Sequence, residues 1–290
     1  IGACLTASAG VHGIAFTGST EVAHLINRQL AARPGAMVPL IAETGGQNVM
    51  IADSTALPEQ LVDDVLSSAF QSAGQRCSAL RVLYLQNEIA DKVLNMLTGA
   101  MDTLNLGDPL SLATDIGPVI DDTARAALAA HADRLSREGR LVARLPLPEA
   151  CHRGSFFPPQ IFEIDSITQL PGEVFGPILH VIRFDAASLD QAIDEINGTG
   201  FGLTLGVHSR IEGFAREIFH RTRVGNTYVN RNMIGAVVGV QPFGGQGLSG
   251  TGPKAGGPNY LQRFALERTY TDNVVARGGN AALFELEDRR

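Results

Sequence analysis

A single cysteine in a polar, glycine-containing stretch is the first candidate for chemistry. Cys77 lies in SSAFQSAGQRCSALRVLYLQ, residues 67–86, between an apolar run with helical spacing and an alternating run typical of a strand. A thiol reacts as the thiolate, so Arg76 and nearby N–H donors would have to favour that charge. The carboxyl end of the preceding helix disfavours it. Taken alone, such a cysteine is more often a buried structural residue than a nucleophile.

A carboxylate beside two glycines is the second candidate. Glu43 begins the sequence ETGG between two apolar runs, residues 38–42 and 48–52, that predict strands. A carboxylate at such a break can act as a general base. Without other evidence, a solvated turn residue is the ordinary interpretation of the same pattern.

The sequence GIAFTGSTEVAHLINRQLAA, residues 13–32, predicts a strand, a tight Thr17-Gly18 turn and an amphipathic helix. Ser19 and Thr20 are suited to cap that helix. Backbone N–H groups at the start of a helix can hold a phosphate. Ordinary α/β units begin in the same way, so this stretch alone does not decide between the two interpretations.

The order of predicted elements indicates the fold class. Helices are predicted over residues 61–73, 89–104 and 123–137, and strands alternate with them. This alternation predicts an α/β fold with a largely parallel sheet. Residues 224–258 hold many glycines and few charges, which is typical of loops packed close to a ligand or to other backbone.

Composition excludes several classes of protein. The 290 residues are 44% hydrophobic and 18% charged, with a net charge of -7. An acidic chain of this kind does not indicate nucleic acid as a partner. Three widely spaced cysteines predict neither a disulfide framework nor a metal site. Without a membrane span or a signal sequence, we expect a cytoplasmic protein, which leaves open a peripheral position of the full-length protein at the inner membrane.

Six motifs in a fixed order resemble the aldehyde dehydrogenase superfamily. They are FTGST, ETGG, GQRC, GDP with TDIGPVI, EVFGP and PFGG. Longer stretches, GQRCSALRVLYLQ, residues 225–264 and TYTDNVVARGGNAAL, are similar to the pyrroline-5-carboxylate (glutamate semialdehyde) dehydrogenase domain of bifunctional proline utilization proteins. This resemblance implies an aldehyde dehydrogenase-like α/β fold.

The resemblance also implies the catalytic residues. Cys77 stands where the family has its nucleophile, whose thiolate adds to the aldehyde carbon and gives a thiohemiacetal. The Cys77 peptide N–H is one expected donor to the oxyanion. Glu43 matches the general base that activates water to hydrolyse the thioester. Neither residue is expected to bind a metal.

The expected cofactor is NAD, and the resemblance assigns five residues to it. Gly18 and Ser19 match the turn that meets the pyrophosphate, with Thr20 close by. Glu173, in EVFGP, matches the carboxylate that accepts hydrogen bonds from the nicotinamide ribose. Phe175 matches the aromatic residue near the nicotinamide. FAD is expected only in a proline dehydrogenase domain that is not part of this sequence.

The substrate implied by the resemblance is L-glutamate γ-semialdehyde, oxidised to L-glutamate in proline catabolism. Arg76 and Ser78 flank the nucleophile. Gly256 and Gly257, in GPKAGGP, are expected to hold the substrate carboxylate through backbone N–H groups, since no side chain intervenes there. Phe264 is expected to pack on the aliphatic part of the substrate.

The resemblance further implies a domain organisation. Residues 1–46 are assigned to the end of a Rossmann-like NAD-binding domain, 47–246 to the catalytic domain, 247–264 to a substrate-anchoring region and 265–290 to an oligomerisation arm. The family's oxyanion amide and adenine-ribose lysine precede the segment that matches Ile1. We therefore expect the sequence to begin inside a longer homo-oligomeric protein, covalently linked to an upstream proline dehydrogenase domain.

Two alternatives remain open from the sequence. One is an aldehyde dehydrogenase for another small semialdehyde, and the other is an inactive fragment that lacks half of the cofactor site.

Overall fold

A computed structural model describes residues 1–237 and 239–278 of the chain. Within these residues the structure has seven α-helices: α1 (Gly2–Ala7), α2 (Thr20–Ala32), α3 (Pro58–Phe70), α4 (Asn87–Met101), α5 (Asp122–Glu138), α6 (Leu189–Gly198) and α7 (Glu212–Arg221). The strands in the same residues are β1 (Ile14–Thr17), β2 (Leu40–Glu43), β3 (Val49–Ala52), β4 (Val82–Gln86), β5 (Arg140–Arg144), β6 (Gln160–Glu163), β7 (Ile178–Phe184), β8 (Phe201–Gly202), β9 (Thr204–His208), β10 (Asn226–Val229) and β11 (Gln246–Gly247).

The strands form one large and two small sheets. The large sheet has seven strands in the order β10-β9-β3-β4-β7-β6-β5. All its neighbours are parallel except β5, which runs antiparallel to β6. The predicted α/β fold with a largely parallel sheet is therefore confirmed. One two-stranded sheet, named the small sheet, is parallel and consists of β1 and β2. The other is a short antiparallel pair, β8 and β11.

The core lies around the middle of the large sheet. Every residue of β3 and of β4 is buried. Parallel strands covered on both faces have continuous apolar sequences rather than alternating ones, which explains the run Val49–Ala52 and the run Val82–Leu85. Within the described residues, no helix is both long enough and apolar enough to cross a bilayer.

Local sequence explains where the helix that follows β1 begins. Ser19 has extended backbone angles, and its hydroxyl accepts a hydrogen bond from the Val22 N–H at 3.2 Å. This is an N-cap, which satisfies a donor that the first turn of a helix leaves free. Glu21 in that first turn is favourable at the positive end of the helix. The predicted strand-turn-helix unit is thus confirmed, with Ser19 as its cap.

Candidate active site

The catalytic candidates meet where two sheets face each other. Glu43 is the last residue of β2, at the carboxyl end of the small sheet. The segments that enter β3, β4, β7 and β10 lie at the amino end of the large sheet. Glu43 acts electrostatically on the Cys77 thiol, which precedes β4. The fold thus brings together two residues that are 34 positions apart in the sequence.

The Cys77 loop, residues 71–81, follows α3. The structure ends α3 at Phe70, so the predicted helix over residues 61–73 is too long. Ser72 and Ala73 have φ of 57° and 54°, in the left-handed region that non-glycine residues rarely adopt. Ala73 is buried, as the apolar spacing implied, but a reversed turn rather than a helix places it there. The prediction that Cys77 lies between a helix and a strand is confirmed.

Asn48, at the entrance to β3, holds the Cys77 loop in place. Its amide nitrogen donates to the carbonyl of Cys77 at 2.6 Å and to that of Ala79 at 2.9 Å. Its side-chain oxygen accepts from the Thr204 N–H at 3.2 Å. The buried amide is therefore fully used in joining three segments. In the sequence, Asn48 is distinguished only by being a polar residue directly before an apolar strand.

Arg81 connects the Cys77 loop with the EVFGP segment. It is 1% exposed. Its guanidinium donates to the carboxylate of Glu173 at 3.1 Å and lies over the ring of Phe175, 5.2 Å from the centroid. It also donates to three carbonyls, those of Gly74 at 2.6 Å, Arg76 at 3.1 Å and Gly176 at 3.3 Å. A guanidinium has five donors in a planar fork and can serve these four acceptors at once, whereas a lysine ammonium has only three.

The environment of Cys77 keeps its resting sulfur protonated. Burial raises the pKa of the thiol, and the Glu173 carboxylate raises it further. Hydrogen bonds from the N–H groups of Ser78 and of Cys77 itself lower this pKa, and Glu43 raises it. Of the two features expected to favour the thiolate, Arg76 and nearby N–H donors, the N–H donors are therefore present. Arg76 is differently engaged, because its Nε donates to the Ser72 hydroxyl at 3.1 Å.

Glu43 has one oxygen held and one oxygen free. Oε2 accepts the Gly245 N–H at 3.0 Å. Oε1 is buried and has no hydrogen-bond partner among the described residues. Burial raises the pKa of Glu43 to about 7, and the Gly245 N–H and the Lys254 charge oppose that rise. A carboxylate with a pKa near neutrality can both accept and release a proton, as a general base must.

Glu173 lies against the glycines of ETGG. A methyl group placed on Gly45 would lie 1.6 Å from Glu173 Oε2, so only glycine leaves room for this carboxylate. Burial raises the pKa of Glu173 above its ordinary value, and Arg81 and the Gly46 N–H oppose that rise. Phe175 is 45% exposed beside it. The two predicted nicotinamide-side residues therefore lie next to the Cys77 loop.

The predicted pyrophosphate turn lies beside Glu43. The Gly18 N–H donates to the Glu43 carbonyl at 3.1 Å. Thr20 donates its hydroxyl to the Leu248 carbonyl at 3.2 Å and lines a cavity of about 440 Å³ between α2 and β2. The N–H groups of Thr20 and Glu21 have no acceptor within the helix, whereas that of Val22 donates to the Ser19 hydroxyl, so the first two could bind phosphate oxygens. These donors and the Glu173 carboxylate fit part of a dinucleotide.

The predicted substrate residues are only partly brought together. Ser78 is buried beside the thiol, and Arg76 remains partly exposed. The Gly257 N–H, expected to hold a carboxylate, donates to the Lys254 carbonyl at 3.1 Å. Gly256 lies in the same turn with a φ of 71°.

Phe264 lies away from the catalytic pair. A methyl group placed on Gly13 would be 2.7 Å from the Phe264 ring, so this ring packs at the start of β1. Glu43 pairs with Thr17, four residues further along. At about 3.3 Å per residue, the ring is roughly 13 Å along the strand from the level of Glu43. The structure therefore does not bring Phe264 to the predicted substrate position.

Lys254 is a site residue that the sequence did not reveal. Its charge acts on Glu43, and its ammonium donates to the Gly225 carbonyl. In the sequence it stands in a glycine-rich loop, residues 252–257, more than 200 positions from Glu43.

Among the residues that the structure describes, no group of His, Cys, Asp or Glu side chains is arranged to hold a metal ion.

The chain is similar to known proteins over most of its length. The aldehyde dehydrogenase family model matches residues 1–270. Bifunctional protein PutA of Klebsiella aerogenes is 54% identical over 276 residues, 92% of this chain and 21% of that protein. 1-Pyrroline-5-carboxylate dehydrogenase of Geobacillus thermodenitrificans is 35% identical over 264 residues, 89% of this chain and 50% of that protein. A crystal structure of bifunctional proline utilization A (PutA) has a TM-score of 0.91 at 59% identity, covering 96% of this chain and 28% of that one.

The chain thus spans 21% of the length of this bifunctional relative and 50% of that of the dehydrogenase.

Proposed function

The chain belongs to the aldehyde dehydrogenase family, and from that membership we propose that it carries the catalytic thiol and general base of an NAD-dependent oxidation of L-glutamate γ-semialdehyde to L-glutamate. The reaction would be the aldehyde step of proline breakdown, in keeping with the names of its relatives. The bifunctional relatives also suggest that the natural polypeptide joins this segment to a proline dehydrogenase domain and forms a homo-oligomer. The division into regions 1–46, 47–246, 247–264 and 265–290 is part of the same proposal, and residues 279–290 lie outside the described residues.

One observation carries the proposal. A buried carboxylate with a pKa of about 7 and one unpartnered oxygen acts on a half-buried thiol in the same site. A thiol needs a proton acceptor before it attacks, and a later hydrolysis needs a base for water. Glu43 is suited to both tasks, because it is close to half ionised near neutral pH.

The first step begins at Cys77. Its proton passes to the free oxygen of Glu43, directly or through water, and the sulfur forms a bond with the aldehyde carbon. The carbonyl electrons move to oxygen, where the Cys77 peptide N–H is the predicted donor. Asn48 and Arg81 keep the surrounding loop fixed through the Cys77, Gly74 and Arg76 carbonyls.

The cofactor region would lie between the turn at Gly18 and Ser19 and the Glu173 segment. Bound NAD would supply the acceptor for the hydride that leaves the carbon attached to sulfur. The chain's own contribution would be orientation, with the N–H groups at the start of α2 toward the pyrophosphate and Glu173 toward a ribose hydroxyl. Arg81 would hold Glu173 in place for that role.

Hydrolysis of the thioester would complete the reaction. Glu43 first releases to solvent the proton that it took from Cys77, so its carboxylate is free again. It then accepts a proton from water while the water oxygen bonds to the carbonyl carbon. The carbon–sulfur bond then breaks, releasing the acid and returning the electron pair to Cys77. The unpartnered Oε1 is the atom available for this proton.

The substrate assignment rests on resemblance and on residues beside the thiol. We place the carboxylate of glutamate semialdehyde near Arg76 and Ser78, with the turn at Gly256 and Gly257 as a further candidate. Because the Gly257 N–H already has an acceptor, Gly256 and Ser78 are the better donors in this arrangement.

The test uses the natural polypeptide that contains these residues. Cys77→Ala should abolish NADH formation from glutamate semialdehyde, whereas the matched change Cys4→Ala, at an exposed cysteine, should leave it unchanged. Glu43→Gln should slow turnover by about 100-fold or more, since general-base catalysis typically contributes that much. Mass spectrometry should then find an acyl group on Cys77.

Three outcomes would contradict the proposal. Appreciable turnover of the Cys77→Ala variant would remove the nucleophile, and normal thioester hydrolysis in Glu43→Gln would remove the base. A higher kcat/KM for succinate semialdehyde or propanal than for glutamate semialdehyde would keep the chemistry but replace the substrate.

A further inference from the structure

Lys254 occupies an unusual position among the cations of this chain. The sequence has 21 arginines but only two lysines, Lys92 and Lys254. Lys92 is exposed on α4. Lys254 is half-buried behind the active site, and its ammonium donates to the Gly225 carbonyl. The proposed chemistry gives Lys254 no covalent step.

Close packing brings Lys254 and Glu43 against the same face of one glycine. A methyl group on Gly244 would lie 2.6 Å from Glu43 Oε1 and 3.1 Å from the Lys254 Cα. One on Gly225 would lie 1.9 Å from the Gly244 carbonyl oxygen. The absence of side chains on these two glycines therefore lets Lys254, Glu43 and the Gly225 backbone approach one another closely.

The backbone beside Lys254 is itself fixed. The N–H of Ala255 donates to the Phe243 carbonyl at 2.8 Å, and the Phe243 N–H donates back to Ala255 at 3.0 Å. Gly245, two residues after Phe243, donates its N–H to Glu43 Oε2. One short segment, residues 243–245, thus carries both the neighbour of the lysine and the donor to the carboxylate.

The charges around Glu43 favour an electrostatic role for this lysine. The Lys254 charge lowers the pKa of Glu43, and the Glu43 charge raises the pKa of the Cys77 thiol. Burial lowers the pKa of Lys254, and Glu43 raises it. The two groups therefore stabilise each other's charged forms, partly offsetting the burial that disfavours both.

We propose that Lys254 is a positioning residue for Glu43: its ammonium, anchored on the Gly225 carbonyl, favours the ionised carboxylate and its hydrogen bond with the Gly245 N–H, ready to take a proton from water. This inference rests on the proposed roles of Cys77 and Glu43. It adds that the working pH range of hydrolysis is set from behind the site, by a residue that does not contact the substrate.

The experiment isolates hydrolysis from the cofactor and from substrate choice. p-Nitrophenyl acetate acylates a reactive thiol without NAD, so an initial burst of nitrophenol reports acylation of Cys77 and the later steady rate reports deacylation. Both are measured from pH 5.5 to 9.5 in the natural polypeptide. The variants are Lys254→Met and Lys254→Gln without the charge, Lys254→Arg with it, and Lys92→Met as the matched control.

Loss of the lysine charge should raise the apparent pKa of deacylation by at least about half a unit, which slows deacylation about threefold or more at pH 6. Near pH 9.5 the rates of variant and parent should converge, because Glu43 is ionised in both. Lys254→Arg and Lys92→Met should keep the parent pH profile. Lys254→Gln retains a donor for Gly225, so it separates loss of charge from loss of that hydrogen bond.

An equal loss of deacylation rate at every pH in Lys254→Met and Lys254→Gln would show that Lys254 has a structural role. That result would overturn this inference and leave the proposed function standing. An unchanged pH profile in both variants would also overturn this inference. The absence of a burst at Cys77 in the parent protein would instead overturn the proposed function, and this inference with it.

Discussion

Replacement of Arg81 is the perturbation with the largest expected effect on the fold around the active site. Arg81→Met keeps much of the side-chain length and removes the guanidinium. Water reaches this pair only in part, because the side chain of Arg81 is 1% exposed and that of Glu173 is 18% exposed. The variant would leave a buried carboxylate without its cation and the Gly74 carbonyl without a donor. The Arg76 and Gly176 carbonyls would lose one of two donors and keep the N–H groups of Ala79 and Ile178.

The magnitude follows from that loss. Removing one partner of a buried ion pair costs about 3–5 kcal/mol, because the remaining charge stays buried. For a domain of this size, each 1 kcal/mol lowers the thermal midpoint by about 2–4 °C. We therefore expect Arg81→Met to lower the midpoint by roughly 10 °C. A second change, Glu173→Gln, removes the uncompensated charge and should restore part of that loss.

Thermal unfolding followed by circular dichroism at pH 7 measures both variants. The matched control is Arg183→Met, which removes a partly exposed pair with Glu163 and Asp91. Exposed pairs contribute about 0–1 kcal/mol, so the control should shift by a few degrees at most. If Arg81→Met shifted no more than Arg183→Met, or if Glu173→Gln restored nothing, the buried pair would not stabilise the Cys77 loop as argued here.

Two further predictions concern the interior around the site. Burial lowers the pKa of His180, which contacts the Arg81 carbonyl at 2.8 Å and His131 at 2.9 Å, to about 3. The contribution of neutral His180 to the free energy of unfolding is complete above the unfolded pKa of about 6.5 and is lost as pH falls from there toward about 3, so about 2 kcal/mol should disappear by pH 5. The free energy of unfolding of His180→Phe should therefore depend less on pH than that of the parent, and an equal dependence would refute this. Gly225→Ala would force the Gly244 carbonyl to move, since the methyl group would lie 1.9 Å from its oxygen, and should slow deacylation of Cys77 by about tenfold or more. The control is Gly213→Ala in α7, where the added methyl group would have no neighbouring atom within 4 Å, so deacylation should be normal. Equal deacylation rates for Gly225→Ala and Gly213→Ala would show that the Gly225 contact does not matter for hydrolysis.

Local patterns in the sequence were sufficient for the elements that carry the site. The apolar runs predicted β2, β3 and β4 to within about two residues. Ser19 before an amphipathic run predicted the start of α2, because capping depends on neighbours only a few residues away. The alternation of these elements predicted the parallel sheet. Such features depend on short-range chemistry, which a sequence displays directly.

The end of α3 shows where periodicity misleads. Ala73 continues the helical spacing of Leu66 and Phe70 and is buried, yet its φ is 54°. Spacing predicts that a side chain is buried but not the backbone path that brings it there. The reversed turn depends on the Gly176 carbonyl, to which the Gly74 backbone packs too closely for a side chain, and that contact joins residues about 100 positions apart.

Arg81 and Lys254 could not be found in the sequence for the same reason. Arg81 stands in SALRVLYL, where it resembles a polar residue at the entrance to a strand, and its acceptors come from residues 74–76 and 173–176. Lys254 resembles a solvated charge in a glycine-rich loop. The partners of both cations are fixed by the meeting of strand ends, which the order of elements predicts only in outline.

Glu43 and Glu173 show how the same side chain can serve two purposes at one thiol. Both carboxylates raise the pKa of Cys77, so neither favours the thiolate while it is charged. Glu173 has a direct guanidinium partner and an N–H donor, which oppose protonation and fix its position. Glu43 has one N–H donor, a lysine whose charge acts on it without a direct hydrogen bond, and an oxygen without a partner among the described residues. Protonation of Glu43 by the thiol removes one of the two negative charges that oppose the thiolate. The transfer therefore stabilises its own product. The Arg81 contact opposes protonation of Glu173, which burial favours, and so reduces its competition with Glu43 for the proton.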